Sequence, residues 1–448
     1  MDVELQIFKH LARKAEPTVP FIDEYCEAYK DLFPEVRSYE CFKYLHLGII
    51  APIKRKSLPE IAKVVGINSA QSLHHFIAHS PWSVESVRKR RLKQISSLLK
   101  EKKIKLIIDE TGDRKKGKKT DYVSRQYLGS IGKIDNGIVT VNAYGVYEHI
   151  TFPLIFKIFK PKGTLKEGDT YQTKITLACL IIEELVNLDF AIELVLADSL
   201  YGESSEFIKT LDSHKLPWIL SIRNNHGVYL SADQTVRANK WCEFQRKFSD
   251  ESSETRYVRE IIFGKRRQRT YWEITTCPKT LPENSTSFVM TNLEGKTSQI
   301  KKIVGNMYGL RTWIEYGFRQ CKQELGWTDY RLTKFEQIEK WWEIILSAYW
   351  MITCHSKAFI SSSRTSDCNN PAQQVTPNTT NNLFQHQQWS GSGGWKNTLN
   401  NFRLIIQPTI SLSLILPWLE VFPNPDLLKG FHQLINMIAQ SSPYLPTG

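Results

Sequence analysis

Tyr308, Arg311, Glu315 and Lys322 stand three, four and seven residues apart in the run Tyr308-Gly-Leu-Arg311-Thr-Trp-Ile-Glu315-Tyr-Gly-Phe-Arg319-Gln-Cys-Lys322. At about 100° per residue the four fall within roughly 60° of one another on one stripe of an α-helix, with Arg319 at its edge. Arg311 and Glu315 alone would be an ordinary i,i+4 surface pair, worth roughly a few tenths of a kcal/mol. Cationic and phenolic groups crowded round a single carboxylate fit other chemistry, in which the carboxylate holds a metal ion and its neighbours hold phosphate oxygens.

Such a carboxylate needs partner acids upstream. The β-branched run Ile104-Lys-Leu-Ile-Ile-Asp109 is expected to be a buried strand ending on an acid, followed by Glu110-Thr-Gly112. Ile192-Glu-Leu-Val-Leu-Ala-Asp198 repeats the pattern and is followed by Ser-Leu-Tyr-Gly202. Either acid alone reads as a turn or helix cap. Both together, with Glu315 on a charged helix, are harder to read as three independent caps.

With these residues in place the chain resembles the DDE transposases of cut-and-paste insertion sequences, whose last acid lies in a Tyr-x2-Arg-x3-Glu-x6-Lys signature. Tyr308, Arg311, Glu315 and Lys322 match that spacing without a gap, and the likeness spans a core from about 101 to 358. The resemblance implies an α/β, ribonuclease-H-like mixed-sheet core with Asp109, Asp198 and Glu315 as catalytic residues. These three would also ligate two Mg2+ ions, with Mn2+ able to substitute, and Asp109 would bridge the pair. Arg311 and Lys322 would grip phosphates, and Tyr308 would add one hydrogen bond; Arg319, at the edge of the stripe, is expected as a further DNA contact. The implied partner is double-stranded DNA, both the element's terminal inverted repeats and the target, with at least a dimer in the synaptic complex. A same-fold nuclease without strand transfer and a domesticated DNA-binding regulator are the alternatives. The chain departs from relatives that seat a flipped base on a tryptophan ahead of the signature: Ser287 stands at that position, with Phe288 beside it, so Trp272 or Phe288 is expected to substitute.

The elements that must position these groups follow from patterning. Strands are expected at 104–109, 123–131, 138–147 and 192–197, with a helix at about 173–188, and the ends of the first and fourth strands side by side. The basic turn Asp113-Arg-Lys115-Lys116-Gly-Lys118-Lys119 reads equally as a DNA-backbone contact and as a solvated tip. A β insertion is expected at about 224–295, and its turn Lys265-Arg266-Arg267-Gln-Arg269, followed by Tyr271 and Trp272, suits a DNA end with an unstacked base or an ordinary amphipathic hairpin.

Residues 1–100 read as helical and DNA-binding, with a helix-turn-helix outline from Leu58 to Leu73 and cations at Lys54-Arg-Lys56 and Arg88-Lys-Arg-Arg91 that could meet phosphates or solvent. Phe335 to Cys354 reads as a buried aromatic helix, 359–398 as a low-complexity linker and 399–448 as a small helical element.

Composition agrees with a nucleic-acid partner. The 448 residues carry 59 Lys and Arg against 46 acids, a formal charge of +13. The 8 cysteines form no C-x-x-C pair and read as reduced thiols of a cytoplasmic protein. The first residues lack the apolar core of a signal peptide, and the runs 344–354 and 410–422 read as too short or too interrupted to span a bilayer. A nucleotide-binding α/β enzyme is disfavoured because no Gly-rich phosphate loop follows an expected strand.

Overall fold

The computed structural model describes residues 13–100, 102–117, 119–148, 150–248, 252–266, 268–356 and 394–440. It begins with helices α1 (Pro20–Glu27), α2 (Val36–Ile50), α3 (Leu58–Val64), α4 (Gln71–Ala78) and α5 (Val84–Leu99). Pro20 starts α1, where a missing N–H costs nothing, and Ser83 caps α5 by accepting from the Ser86 N–H. The turn between α3 and α4 places Gly66 at φ +75°, a left-handed conformation that glycine adopts without strain.

A mixed sheet follows. Its strands are β1 (Ile104–Arg114), β2 (Ser124–Leu128), β3 (Lys133–Tyr147), β4 (Ile150–Ile158), β5 (Ile192–Ala197) and β6 (Trp218–Ile222), with helix α6 (Lys174–Asn187) crossing from β4 to β5. Strands β1, β3 and β4 form an antiparallel meander, while β5 runs parallel to β1 and β6 parallel to β5. The resulting order β4-β3-β1-β5-β6 is the ribonuclease-H-like arrangement.

Two expectations change here. Strand β1 does not end at Asp109 but runs on to Arg114, because β3 continues to pair with it as far as Gly137. The third core strand is β4, which the pattern reading passed over; the strand expected at 123–131 is the short β2, paired with the far end of β3.

After the short helices α7 (Ser199–Gly202) and α8 (Ser205–Ser213), the insertion supplies β7 (Val236–Ala238), β8 (Cys242–Lys247), β9 (Ser253–Phe263), β10 (Thr270–Thr275) and β11 (Ser287–Thr291). Antiparallel pairing of β11 with β6 makes these strands an extension of the core sheet. Helix α9 (Thr297–Met307) then leads into the signature. A 3-10 turn (Tyr308–Thr312), the helix α10 (Trp313–Arg319) and a π turn (Gln320–Glu324) share it. The even stripe expected of a regular α-helix is therefore wound tighter at its start and looser at its end.

Helix α11 (Phe335–Cys354) is buried along most of its length, between the sheet and the N-terminal helices. Arg88 and Arg91 of α5 reach Glu343 on α11 at 3.2 and 2.7 Å, and Arg91 also donates to the carbonyls of Pro153 and Leu154. Those two arginines, and the buried Lys56, are thus structural and not free to meet phosphates.

Helix α12 (Trp395–Val421) begins inside the stretch read as linker; the rest of that stretch, to residue 393, lies outside the described residues, as do residues 441–448. The helix runs through Pro408 and Pro417, so those prolines do not interrupt it, and by length and composition it could cross a membrane. Its face Trp395, Leu399, Phe402, Ile406 and Ile410 is buried against protein. Helix α13 (Pro425–Gln440) packs on α12.

Candidate active site

Parallel pairing of Ile108 with Ala197 sets Asp109 and Asp198 next to each other across β1 and β5. Each acid also does the local work of a cap. Asp109 Oδ1 accepts from the Glu110 N–H at 2.8 Å, and Asp198 Oδ1 accepts from the Leu200 N–H at 2.9 Å, starting α7. Burial pushes the Asp109 carboxyl up to about 7; Arg311 opposes the rise and Asp198 adds to it.

Arg311 brings the signature to these acids, with Nη1 3.5 Å from Asp109 Oδ2. Burial works against its charge, but Tyr308, Asp109, Asp198 and Glu315 together hold its pKa above the usual guanidinium value. The guanidinium thus stands within electrostatic reach of all three acids, where positive charge is needed. Glu315 itself is exposed, as is Arg319.

Lys322 is not free. Its Nζ lies 2.8 Å from Asp113 Oδ1 and donates to Thr111 Oγ1 at 2.8 Å and the Gly112 carbonyl at 3.0 Å. The lysine read as a phosphate grip therefore docks the end of the signature onto β1, and Asp113 is held further by the Trp327 indole N–H at 2.7 Å. That partnership was not visible in sequence, although Asp113 and Thr111 directly follow the first acid.

Tyr201 was also missed. It lies three residues after Asp198, is fully buried, and its hydroxyl has no hydrogen-bond partner among the described residues. Burial pushes its pKa far up, reinforced by Glu110, Asp109 and Asp198, so the phenol stays a neutral donor beside the acids. Glu110 is paired with Lys174 at 2.8 Å.

The other residues read as DNA contacts fall into three groups. Lys116 and Lys119 are exposed, but the Lys115 ammonium sits 3.6 Å from the centre of the Tyr330 ring, and burial lowers its pKa to about 8. Arg266 pairs with Glu260 and Arg269 with Asp212, at 2.9 and 2.8 Å. Lys118 and Arg267 lie outside the described residues. Trp272 is a correction: it is 1% exposed in the core beneath β10, with its indole N–H donated to Thr270 Oγ1, so it offers no face to a base.

The donor set contains only carboxylate oxygens, which suits a hard divalent cation, and a buried acid next to a second acid is the situation a cation relieves. Among the described residues, no three His, Cys, Asp or Glu side chains are gathered as a metal set; Arg311 stands among the acids instead.

Two family models match the chain. The DDE superfamily endonuclease model covers residues 31–255 and the transposase DDE domain model residues 165–351. A curated relative from Microchaete diplosiphon, named as a probable transposase for insertion sequence element IS701, is 55% identical over 328 residues, 73% of this chain and 86% of the relative. The two models between them span the strands and helices that hold Asp109, Asp198 and Glu315, and with a relative of this identity and coverage the chain belongs to the DDE transposases of insertion sequences.

Proposed function

We propose that this transposase binds the terminal inverted repeats of its element, cuts the DNA by hydrolysis at Asp109, Asp198 and Glu315, and joins the freed 3′-hydroxyl to target DNA in the same site. The observation that carries this is Arg311, with Nη1 3.5 Å from Asp109 on β1 and within electrostatic reach of Asp198, just past β5, and of Glu315 on the signature helix. Dependence on a divalent metal comes with the family; two Mg2+ ions, or Mn2+, would be held by the three acids and would supply the charge that makes water nucleophilic and the phosphate reactive.

The chain's own groups do the rest. Asp109 and Asp198 are fixed by strand pairing and by the N–H groups they accept, so their oxygens need little reorganisation. Arg311 moves from neutralising Asp109 to holding a phosphate oxygen once DNA enters. Tyr201, held neutral by burial, keeps its hydroxyl proton available to an acid or a phosphate oxygen once DNA enters. In the first step water attacks the phosphodiester and the 3′-oxygen leaves, taking up a proton; in the second that 3′-hydroxyl loses its proton and attacks a target phosphodiester, whose own 3′-oxygen leaves in turn.

End recognition belongs to the N-terminal helices in this reading. Lys54 and Arg55 are exposed, as are Gln71, Ser72, His74 and His75 on α4, a polar face free to meet a groove. Synapsis of two ends would require at least two protomers, acting in the cytoplasm.

Duplexes carrying the element's ends, incubated with the full chain in Mg2+ and then in EDTA, test the reading. Metal-dependent nicking and joining should be present in wild type and absent in Asp109→Ala. Nicking without joining would reduce the protein to a nuclease, and specific binding without any chemistry would make it a regulator.

A further inference from the structure

Strand β8 pairs antiparallel with β9 so that Phe244 faces Arg256 and Arg246 faces Glu254. Because side chains alternate along a strand, Cys242, Phe244 and Arg246 share one face with Glu254 and Arg256. That face lies against the signature. A Cβ placed on Gly305 of α9 would come 3.2 Å from the Phe244 ring, and Cys242 and Phe244 pack with Tyr308 and Tyr316 around one core. Arg246 emerges at the rim of this contact, close enough to affect Tyr316, the residue after Glu315, which also feels Arg319.

The charges on this face do not balance. Arg256 takes the nearby carboxylate, with Nε 2.9 Å from Glu254 Oε2. Arg246 is left beside a second guanidinium, and its Nε, closed off from solvent, has no hydrogen-bond partner among the described residues. Burial, and then Arg256, lower its pKa to about 10. The guanidinium also lies 5.4 Å from the centre of the Phe248 ring and feels Glu254, but a half-buried Nε–H without an acceptor is costly, and a planar fork of N–H donors matches a phosphate.

We infer that Arg246, with Arg256 beside it, forms a binding site for a DNA backbone phosphate flanking the cut, supplied by the β insertion. The inference rests on the transposase reading above. The phosphodiester could belong to the element end or to the target; both present the same chemistry.

The test uses the full chain in EDTA, so that binding is read without cleavage. Affinity for a terminal-repeat duplex and for an unrelated duplex is measured across a salt series with wild type, Arg246→Met and Arg246→Lys. For Arg246→Met, the loss of one charge-assisted contact should weaken binding by about tenfold and lower the slope of log affinity against log salt by about one. Arg246→Lys should recover the slope but not the full affinity. The free Arg246→Met protein should melt no lower than wild type, because an unbalanced buried charge has gone.

A change confined to the terminal-repeat duplex assigns the site to the element end; a change confined to the unrelated duplex assigns it to target DNA. Unchanged slope on both duplexes overturns the inference, and so does a fall in melting temperature for Arg246→Met, which would make Arg246 a structural residue. Wild type that binds both duplexes with Arg246→Met indistinguishable defeats only this inference. Wild type with no salt-dependent binding to either defeats the transposase reading as well.

Discussion

At the scale of single residues, the three acids are not held alike. Asp109 and Asp198 each accept from a backbone N–H that follows them, and Asp109 also turns an oxygen toward Arg311, whereas Glu315 is exposed. Glu315→Gln keeps shape and removes charge, so fold and end binding should survive while cleavage falls by on the order of a thousandfold or more, the scale on which loss of a transition-state interaction is felt. A gel-shift assay run beside a cleavage assay checks this; loss of binding would make Glu315 structural. Charge in a sequence does not announce its destination. Lys322 and Arg311 look alike on the signature stripe, yet one is tied to Thr111, Gly112 and Asp113 and the other stands among the acids.

At the scale of elements, β10 and α11 show what burial decides. Trp272 follows a basic turn, a mix that fits base stacking as well as an ordinary amphipathic strand, but the pairing of β10 with both β9 and β11 closes it in, next to the equally buried Glu273. Trp272→Ala should therefore cost about 3–5 kcal/mol of folding stability, the usual range for emptying an aromatic site, as read from a guanidinium unfolding curve. An unchanged curve with a selective DNA defect would return the residue to the interface.

The helical layer carries an acid sensitivity of its own. His46 on α2 donates from Nδ1 to the Phe42 carbonyl at 2.8 Å and accepts from Ser347 Oγ at 2.9 Å, while His355, just past α11, donates to the Met351 carbonyl at 2.7 Å. Burial lowers both to about 4. Unfolded, each titrates near about 6.5, so the unfolded chain binds more protons between those values. Their contribution is complete above about pH 6.5 and is lost as pH falls toward 4, by roughly 1.4 kcal/mol per unit for each histidine. Urea midpoints should drop from pH 7 to pH 5, and His46→Gln should flatten that drop; parallel slopes would rule His46 out as a source.

At the scale of the whole molecule, the C-terminal helix ties the parts together. Phe402 stacks on Phe21 with ring centres 4.4 Å apart, Trp395 donates to the Tyr349 carbonyl, and Arg403 bonds both Glu324 at the end of the signature and the Ile50 carbonyl. The N-terminal helices, α11 and the signature are thus clamped by one element read from sequence as a small appendage. Phe402→Ala should lower stability by about 3–5 kcal/mol in a single unfolding transition. A separate early transition, leaving the remainder at its original midpoint, would show instead that α12 is dispensable to the core.

By itself the sequence determined the family and most of the framework. The spacing Tyr308, Arg311, Glu315, Lys322, the two strands carrying Asp109 and Asp198, the helix from Phe335 to Cys354 and the β character of the insertion are local patterns, and local patterns survive in one dimension. Tertiary structure alone decided where strands stop and where charges go. Strand β1 outruns Asp109 because β3 keeps pairing with it, β4 is recognised as the third core strand by its pairing with β3, and Arg88, Arg91, Lys56 and Lys322 are withdrawn from solvent by partners or packing far away in the chain. Hydrogen-bond partners and burial are set by contacts between distant segments, which no window of sequence contains.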